Sequence, residues 1–425
     1  MAFLNWRPTE LFYGWWIVAA SFFIALYVGG IIFYGFTAFF EPIASELGWS
    51  YTQISLAASL RGLEMSLLAP IIGILVDRWG PRRLIFSGAI ITALGLILLS
   101  RTTSLVMFYG AFALITIGMS SCSMTMLMTA VANWFRSKVG IAIGIAISGF
   151  GAGGVLIPGI VRLIDLYEWR MAMTILALGM LVLVLPLSLL FRHKPEQYGY
   201  LPDGQPKDTA IFDNGLALPQ TIEVDVGAKQ ALKSGTFWHI ALAFLCRTMM
   251  VSAVVIHVMP YLSSIGIARA RSSLVATAIP LTSIFGRISL GWLGDKRNRR
   301  QVAAVAFAMM GLGSICFGYA STSSIWLLVP FLVLFGIGYG GNNALRVALV
   351  REHFGRTNFG TVFGLITGVT MLGNIIGPPL AGLVYDTWGS YQGIWFVFAG
   401  LSIAALVSVL TIPPVRNPVK MADKS

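Results

Sequence analysis

The sequence predicts an all-α membrane protein of twelve transmembrane helices arranged as two six-helix repeats, on three observations. Of the 425 residues 57% are hydrophobic and only 11% are charged, against about 25% charged in a soluble domain. Apolar runs of about 20 residues, enough to cross a bilayer as a helix, recur from one end to the other. The ~10-residue alternating segments of a membrane β-barrel are absent. Two blocks of sequence also return after an interval of about 220 residues.

Taken in order, the spans fall at about 15–40, 50–76, 83–101, 105–130, 138–161, 171–191, 237–262, 272–293, 301–320, 324–350, 358–384 and 390–412. The opening MAFLNWRPTELFYG has no charged region followed by a small-residue cleavage site, so the first helix is expected to serve as its own signal. Arg192 to Gly235 is polar, carries Pro195, Pro202 and Pro206, and reads as a linker. The expected organisation is an N-terminal half at 1–191, a cytoplasmic linker at 192–236 and a C-terminal half at 237–425.

The net charge of +12 is distributed by side. Of 29 Lys and Arg, twenty lie in one alternating set of loops and tails and five in the opposite set. Basic residues concentrate on the cytoplasmic face, which places both termini in the cytoplasm of a multi-pass inner- or plasma-membrane protein. That distribution makes the excess an orientation signal and speaks against a nucleic-acid partner. Cys122, Cys246 and Cys316 all fall in apolar runs, so neither a disulfide framework nor a metal site is expected. No nucleophile elbow or paired acid points to an enzyme, and no cofactor is implied.

The remaining four cations, Arg61, Arg247, Arg287 and Arg346, lie within spans, where the only acid is Glu64. Glu64 follows Arg61 by three residues, so those two can pair on one helix face. Arg346 is near a helix end, where its stem can carry the charge to the surface. Arg287 is eight residues inside Asp295, roughly 12 Å deep. A charge there costs at least ~2.5 kcal/mol on an isolated helix, so it must face protein, water or a ligand. Surplus positive charge around Arg287 and Arg247 suits an anion.

The repeats carry motifs. GILVDRWGPRR, from Gly73 through Asp77, Arg78, Gly80, Arg82 and Arg83, follows the second span, and GWLGDKRNRR, with Asp295, follows the eighth. Gly140, Gly144 and Pro158 return as Gly360, Gly364 and Pro378. Gly149, Gly151 and Gly154 spell GxGxxG, but inside an apolar helix with no βαβ context, where small residues serve close helix approach rather than a nucleotide.

GILVDRWGPRR resembles the cytoplasmic signature of the major facilitator superfamily, a loop that latches the outward-facing state there. The resemblance implies the major facilitator fold, with substrate near the midplane and access alternating between sides. YGWWIVAASFF (from Tyr13), NWFRSKVGIAIGIAISGFGAGG (from Asn133) and HFGRTNFGTVFG (from His353) look like its monocarboxylate transporter and oxalate:formate antiporter branch. That resemblance implies small organic anions as substrates, most simply monocarboxylates of the lactate or pyruvate type, and an eighth-helix arginine as the carboxylate ligand, the position of Arg287. Two departures bear on this. Ser283 stands where animal monocarboxylate transporters have an acid, so their proton relay does not carry over. The eleventh span has no Lys or Arg, so the second cation of the oxalate:formate antiporter is missing. Tyr339, Asn342 and Tyr34 are further substrate-binding candidates. His257 and Glu64 are the candidates for proton coupling. Proton symport is the expected mode. Exchange of the oxalate:formate type, or export of amphipathic compounds, stands beside it.

Overall fold

The computed structural model describes residues 12–135, 139–192, 228–354 and 359–413, and nearly all of them are helical. The first part of the chain comprises α1 (Gly14–Val28), α2 (Phe36–Leu47), α3 (Tyr51–Ser100), α4 (Leu105–Ser120), α5 (Met124–Ala132), α6 (Val139–Ala152), α7 (Ile157–Gly179) and α8 (Leu185–Leu189). The second comprises α9 (Ala228–Lys233), α10 (Gly235–Ser264), α11 (Arg269–Lys296), α12 (Arg299–Gly318), α13 (Leu328–Phe354), α14 (Phe359–Trp388) and α15 (Gln392–Leu410). Nine helices among the described residues are long and apolar enough to cross a membrane.

Two continuous runs each hold more than one crossing. α3 has 50 residues, roughly 75 Å of helix against a ~30 Å hydrocarbon core. It breaks at Gly80, with φ 75° and ψ 164°. Pro81 disfavours a helical residue before it, and glycine alone takes this backbone without strain. α7 breaks at Glu168, with φ 63° and ψ 164°, the same conformation without the glycine. Helix therefore closes the gap expected between 161 and 171. The first span also continues to Leu47 instead of ending near 40, through a π-helical turn at Gly29–Tyr34. Within the expected linker, Ala228–Lys233 is helical.

The described residues gather into two compact units, each made of those that fall within the ranges given. The first is Met1–Trp49, Leu60–Ala217 and Arg269–Thr277; the second is Ser50–Ser59, Leu218–Ala268 and Ala278–Ser425. Both use the same close helix contact. In the first unit, a Cβ on Gly149 of α6 would strike the Phe22 carbonyl of α1, and one on Gly153 would meet Gly30. In the second, a Cβ on Gly373 of α14 would lie 2.6 Å from the Leu245 carbonyl of α10, and Gly377 abuts Met249 and Ser252. In both, partner numbers rise together, so the paired helices run parallel. Gly149, the first glycine of the GxGxxG run, thus packs against α1.

Polar contacts tie each unit near its loops. In the first, Glu46 accepts from Arg170 Nε (2.8 Å) and from Trp169 Nε1, while Arg170 also donates to the Ser100 and Thr102 carbonyls (2.8 and 2.9 Å). In the second, Asp386 accepts from Tyr51 N, Thr52 N and Thr52 Oγ1 at 3.0, 2.9 and 2.6 Å. It caps α3 where the first amides lack intrahelical partners. Nothing in the sequence marked Glu46, Arg170 or Asp386 as partners, because each contact joins residues far apart in the chain.

Candidate functional site

The second unit holds three of the four intramembrane arginines. α11 and α13 pack in parallel along a glycine seam: Gly286 against Ile337, Gly340 against Ser283, Gly341 against Leu290 and Gly294 against Leu345. A side chain at these glycines would push the helices apart. Arg287 sits beside this seam, roughly two and a half turns from the Lys296 end of α11. It is half-buried, and its Nε is buried without a hydrogen-bond partner. Among the described residues Arg287 makes no hydrogen bond and no ion pair.

Arg247, on α10, is 5% exposed. It donates from Nη2 to the Tyr339 carbonyl at 3.0 Å and lies 5.0 Å over the Tyr339 ring. These two candidates are therefore brought together, with the guanidinium anchored on α13. Asn342 is fully buried but turns toward α12, with its Nδ2 on Met310 Sδ at 3.6 Å.

His257 is 0% exposed. Its Nε2 lies 2.9 Å from the Pro378 carbonyl and 3.0 Å from Ser55 Oγ, and its Nδ1 2.9 Å from Tyr391 Oη. A carbonyl only accepts, so Nε2 carries the proton and Nδ1 accepts from the tyrosine. Tyr391 in turn stacks on Tyr385 and Trp395. This imidazole joins α3, α10 and α14 and packs beside α15.

In the first unit, Tyr34 is buried against Phe33 and Phe150. The expected Arg61–Glu64 pair does not form. Arg61, 5% exposed, donates from Nη1 to the Ile32 carbonyl at 2.5 Å and lies 5.2 Å over the Phe33 ring. The π-helical turn alters the usual backbone ladder there and presents this carbonyl to α3. Glu64 is left with Oε2 buried and unpaired. Arg346 is half-buried: its guanidinium sits 4.8 Å over Phe363 and 6.0 Å over Phe244, with Nε buried.

In the loop motif, Gly80 forms the break in α3, and Arg78, Arg82 and Arg83 are exposed. The side chains of Gly73 and Asp77 lie outside the described residues. Asp295 pairs with Arg299 at 3.7 Å, and Arg299 reaches Glu352 at 3.5 Å. Among the described residues no group of three His, Cys, Asp or Glu side chains could hold a metal ion.

Comparison with known proteins agrees with this architecture. "Monocarboxylate transporter 12" of Xenopus laevis is 24% identical over 98% of this chain and 92% of its own length. The Homo sapiens protein of that name is 26% identical over 93% and 79%, and "Monocarboxylate transporter 2" of Homo sapiens is 23% identical over 93% and 85%. A solved bacterial homolog to the human lysosomal transporter Spinster, inward-facing and unoccupied, superposes with a TM-score of 0.68 at 15% identity, covering 94% of this chain and 95% of that one, which bears on fold alone. The Major Facilitator Superfamily profile matches residues 15–270 and 248–425. The chain belongs to the Major Facilitator Superfamily and is a multi-pass membrane transporter, not an enzyme.

Proposed function

We propose that this transporter carries small organic anions, monocarboxylates of lactate or pyruvate size, together with a proton. The observation that supports this is Arg287: a guanidinium well inside a membrane helix with no protein partner among the described residues. A cation left so is stabilised by a ligand that brings the missing charge, and a carboxylate can accept two parallel N–H bonds from it. The monocarboxylate transporter relatives point to the same chemistry. Arg247 and Tyr339 would shape the site, with Asn342 and Tyr34 as further contacts.

The proposed molecule has two six-helix halves, 1–191 and 237–425, joined by the cytoplasmic linker 192–236. Both termini are cytoplasmic, in the inner or plasma membrane, and the Gly73–Arg83 loop with Asp295 gates the cytoplasmic side. Moving a net anion against an inside-negative potential costs about 2.3 kcal/mol per 100 mV, which a co-transported proton cancels. Glu64, with an unpaired buried oxygen, is the better proton carrier; both nitrogens of His257 are engaged. With Glu64 as the sole acid within the spans read from the sequence, anion exchange is the second reading.

The test is uptake of labelled lactate, pyruvate, formate and oxalate into proteoliposomes, with and without an imposed proton gradient, for wild type and Arg287→Gln. Gradient-driven monocarboxylate uptake that disappears in the variant is the expected result. Uptake only against a preloaded anion would establish exchange. Unchanged transport by a folded Arg287→Gln would remove Arg287 from the site.

A further inference from the structure

Arg346 is half-buried on α13, toward the Phe354 end of that helix. It lies two turns beyond Tyr339 on α13, so the two share a face, roughly 120–140° around the helix from Gly340 and Gly341, which pack on α11. That face looks toward α10 and α14, whose Phe244 and Phe363 flank the guanidinium at 6.0 and 4.8 Å. Phe244 is three residues, about one turn, before Arg247 on α10.

A guanidinium has five N–H donors and, in a buried structural role, spends them on carbonyls. Arg61 gives one to Ile32, Arg247 one to Tyr339, and Arg170 two to Ser100 and Thr102. Arg346 gives none: among the described residues it makes no hydrogen bond and no ion pair, and its Nε is buried. Ring faces satisfy its charge in part but accept no in-plane N–H bond. The planar edge of the fork is left for an acceptor, between apolar walls that suit a short carbon chain.

We propose that Arg346, held between Phe244 and Phe363, is a second carboxylate-binding site in the second unit, distinct from Arg287. It lies toward the α13 end that carries Arg351, the side assigned above to the cytoplasm. The proposal rests on the carboxylate reading of the substrate. A monocarboxylate occupies this site with its oxygens on the guanidinium edge and its stem on the rings. It is a station between the Arg287 site and the cytoplasmic side.

The test labels arginines of the full-length protein in proteoliposomes with phenylglyoxal and maps the modified peptides by mass spectrometry, with lactate and pyruvate as probes. Both probes are expected to slow labelling of Arg346 as well as of Arg287, and Arg346 is expected to stay protected in Arg287→Gln. Phe363→Leu, which removes a wall but keeps the charge, is expected to weaken protection of Arg346 roughly two- to thirtyfold. Arg346→Gln is expected to weaken the second binding event, read by titration calorimetry, roughly tenfold to a hundredfold. Slowed labelling of Arg287 with no change at Arg346 in wild type overturns the second site alone. No slowing at either arginine overturns the carboxylate reading and this site with it. Protection of Arg346 that is unaltered by Phe363→Leu overturns the aromatic clamp.

Discussion

On the proposed function, His257 is structural and Glu64 carries the coupled proton. His257 spends both ring nitrogens on Pro378, Ser55 and Tyr391 at 0% exposure. Removing it takes away its bonds to the Pro378 carbonyl, Ser55 and the Tyr391 hydroxyl, each worth about 0.5–1.5 kcal/mol. His257→Leu is therefore expected to lower the melting temperature of the purified protein, and His257→Gln, which keeps a donor and an acceptor, to lower it less. Both are expected to keep gradient-driven uptake. Glu64→Gln is expected to do the reverse: a near-normal melting temperature, loss of gradient-driven uptake, and exchange against preloaded anion retained. If His257→Gln folds and loses only the gradient response, the roles are exchanged.

At the scale of elements, the two breaks in long helices make a matched pair. Gly80 and Glu168 adopt nearly the same backbone, φ 75° and 63° with ψ 164° in both, a region costly to any residue with a Cβ by about 1–3 kcal/mol. Gly80→Ala is expected to destabilise by that order and Glu168→Gly to stabilise by about 1 kcal/mol, since Glu168 is exposed and its strain is released. Thermal melts of the two variants should move in opposite directions; a fall with Glu168→Gly would mean the glutamate makes a contact worth more than its strain. The pair also shows what was legible. WGPRR announces its break through Gly80 and Pro81, whereas YEWRM holds no such residue, and its turn is imposed by Trp169 and Arg170 reaching Glu46. Apolar length and charge placement are local properties, so the twelve spans could be read directly. The partners of Arg61, Arg346 and Asp386 depend on chain crossings that no spacing encodes. Arg287 stood out because its span, 272–293, holds no acid, and among the described residues it makes no ion pair. The Asp386 cap on α3 is testable in the same way: Asp386→Ala is expected to cost about 0.5–2 kcal/mol, read as a lower melting temperature.

For the whole molecule, the uneven charge and the internal repeat make one claim about orientation. On the proposed organisation, each half carries a basic loop after its second span, and the weight of Lys and Arg assigns those loops to the cytoplasm. Lys296 is in the second of these loops, and Ser323 is in the connection between α12 and α13, on the expected opposite side. Cys122 and Cys246 are buried and Cys316 is half-buried, so labelling with a membrane-impermeant maleimide is done in a Cys316→Ser background. In intact cells Ser323→Cys is expected to label at once, and Lys296→Cys only after permeabilisation. The reverse pattern would invert the molecule, put Arg346 near the outer face, and make the site proposed there a station for anions entering from outside.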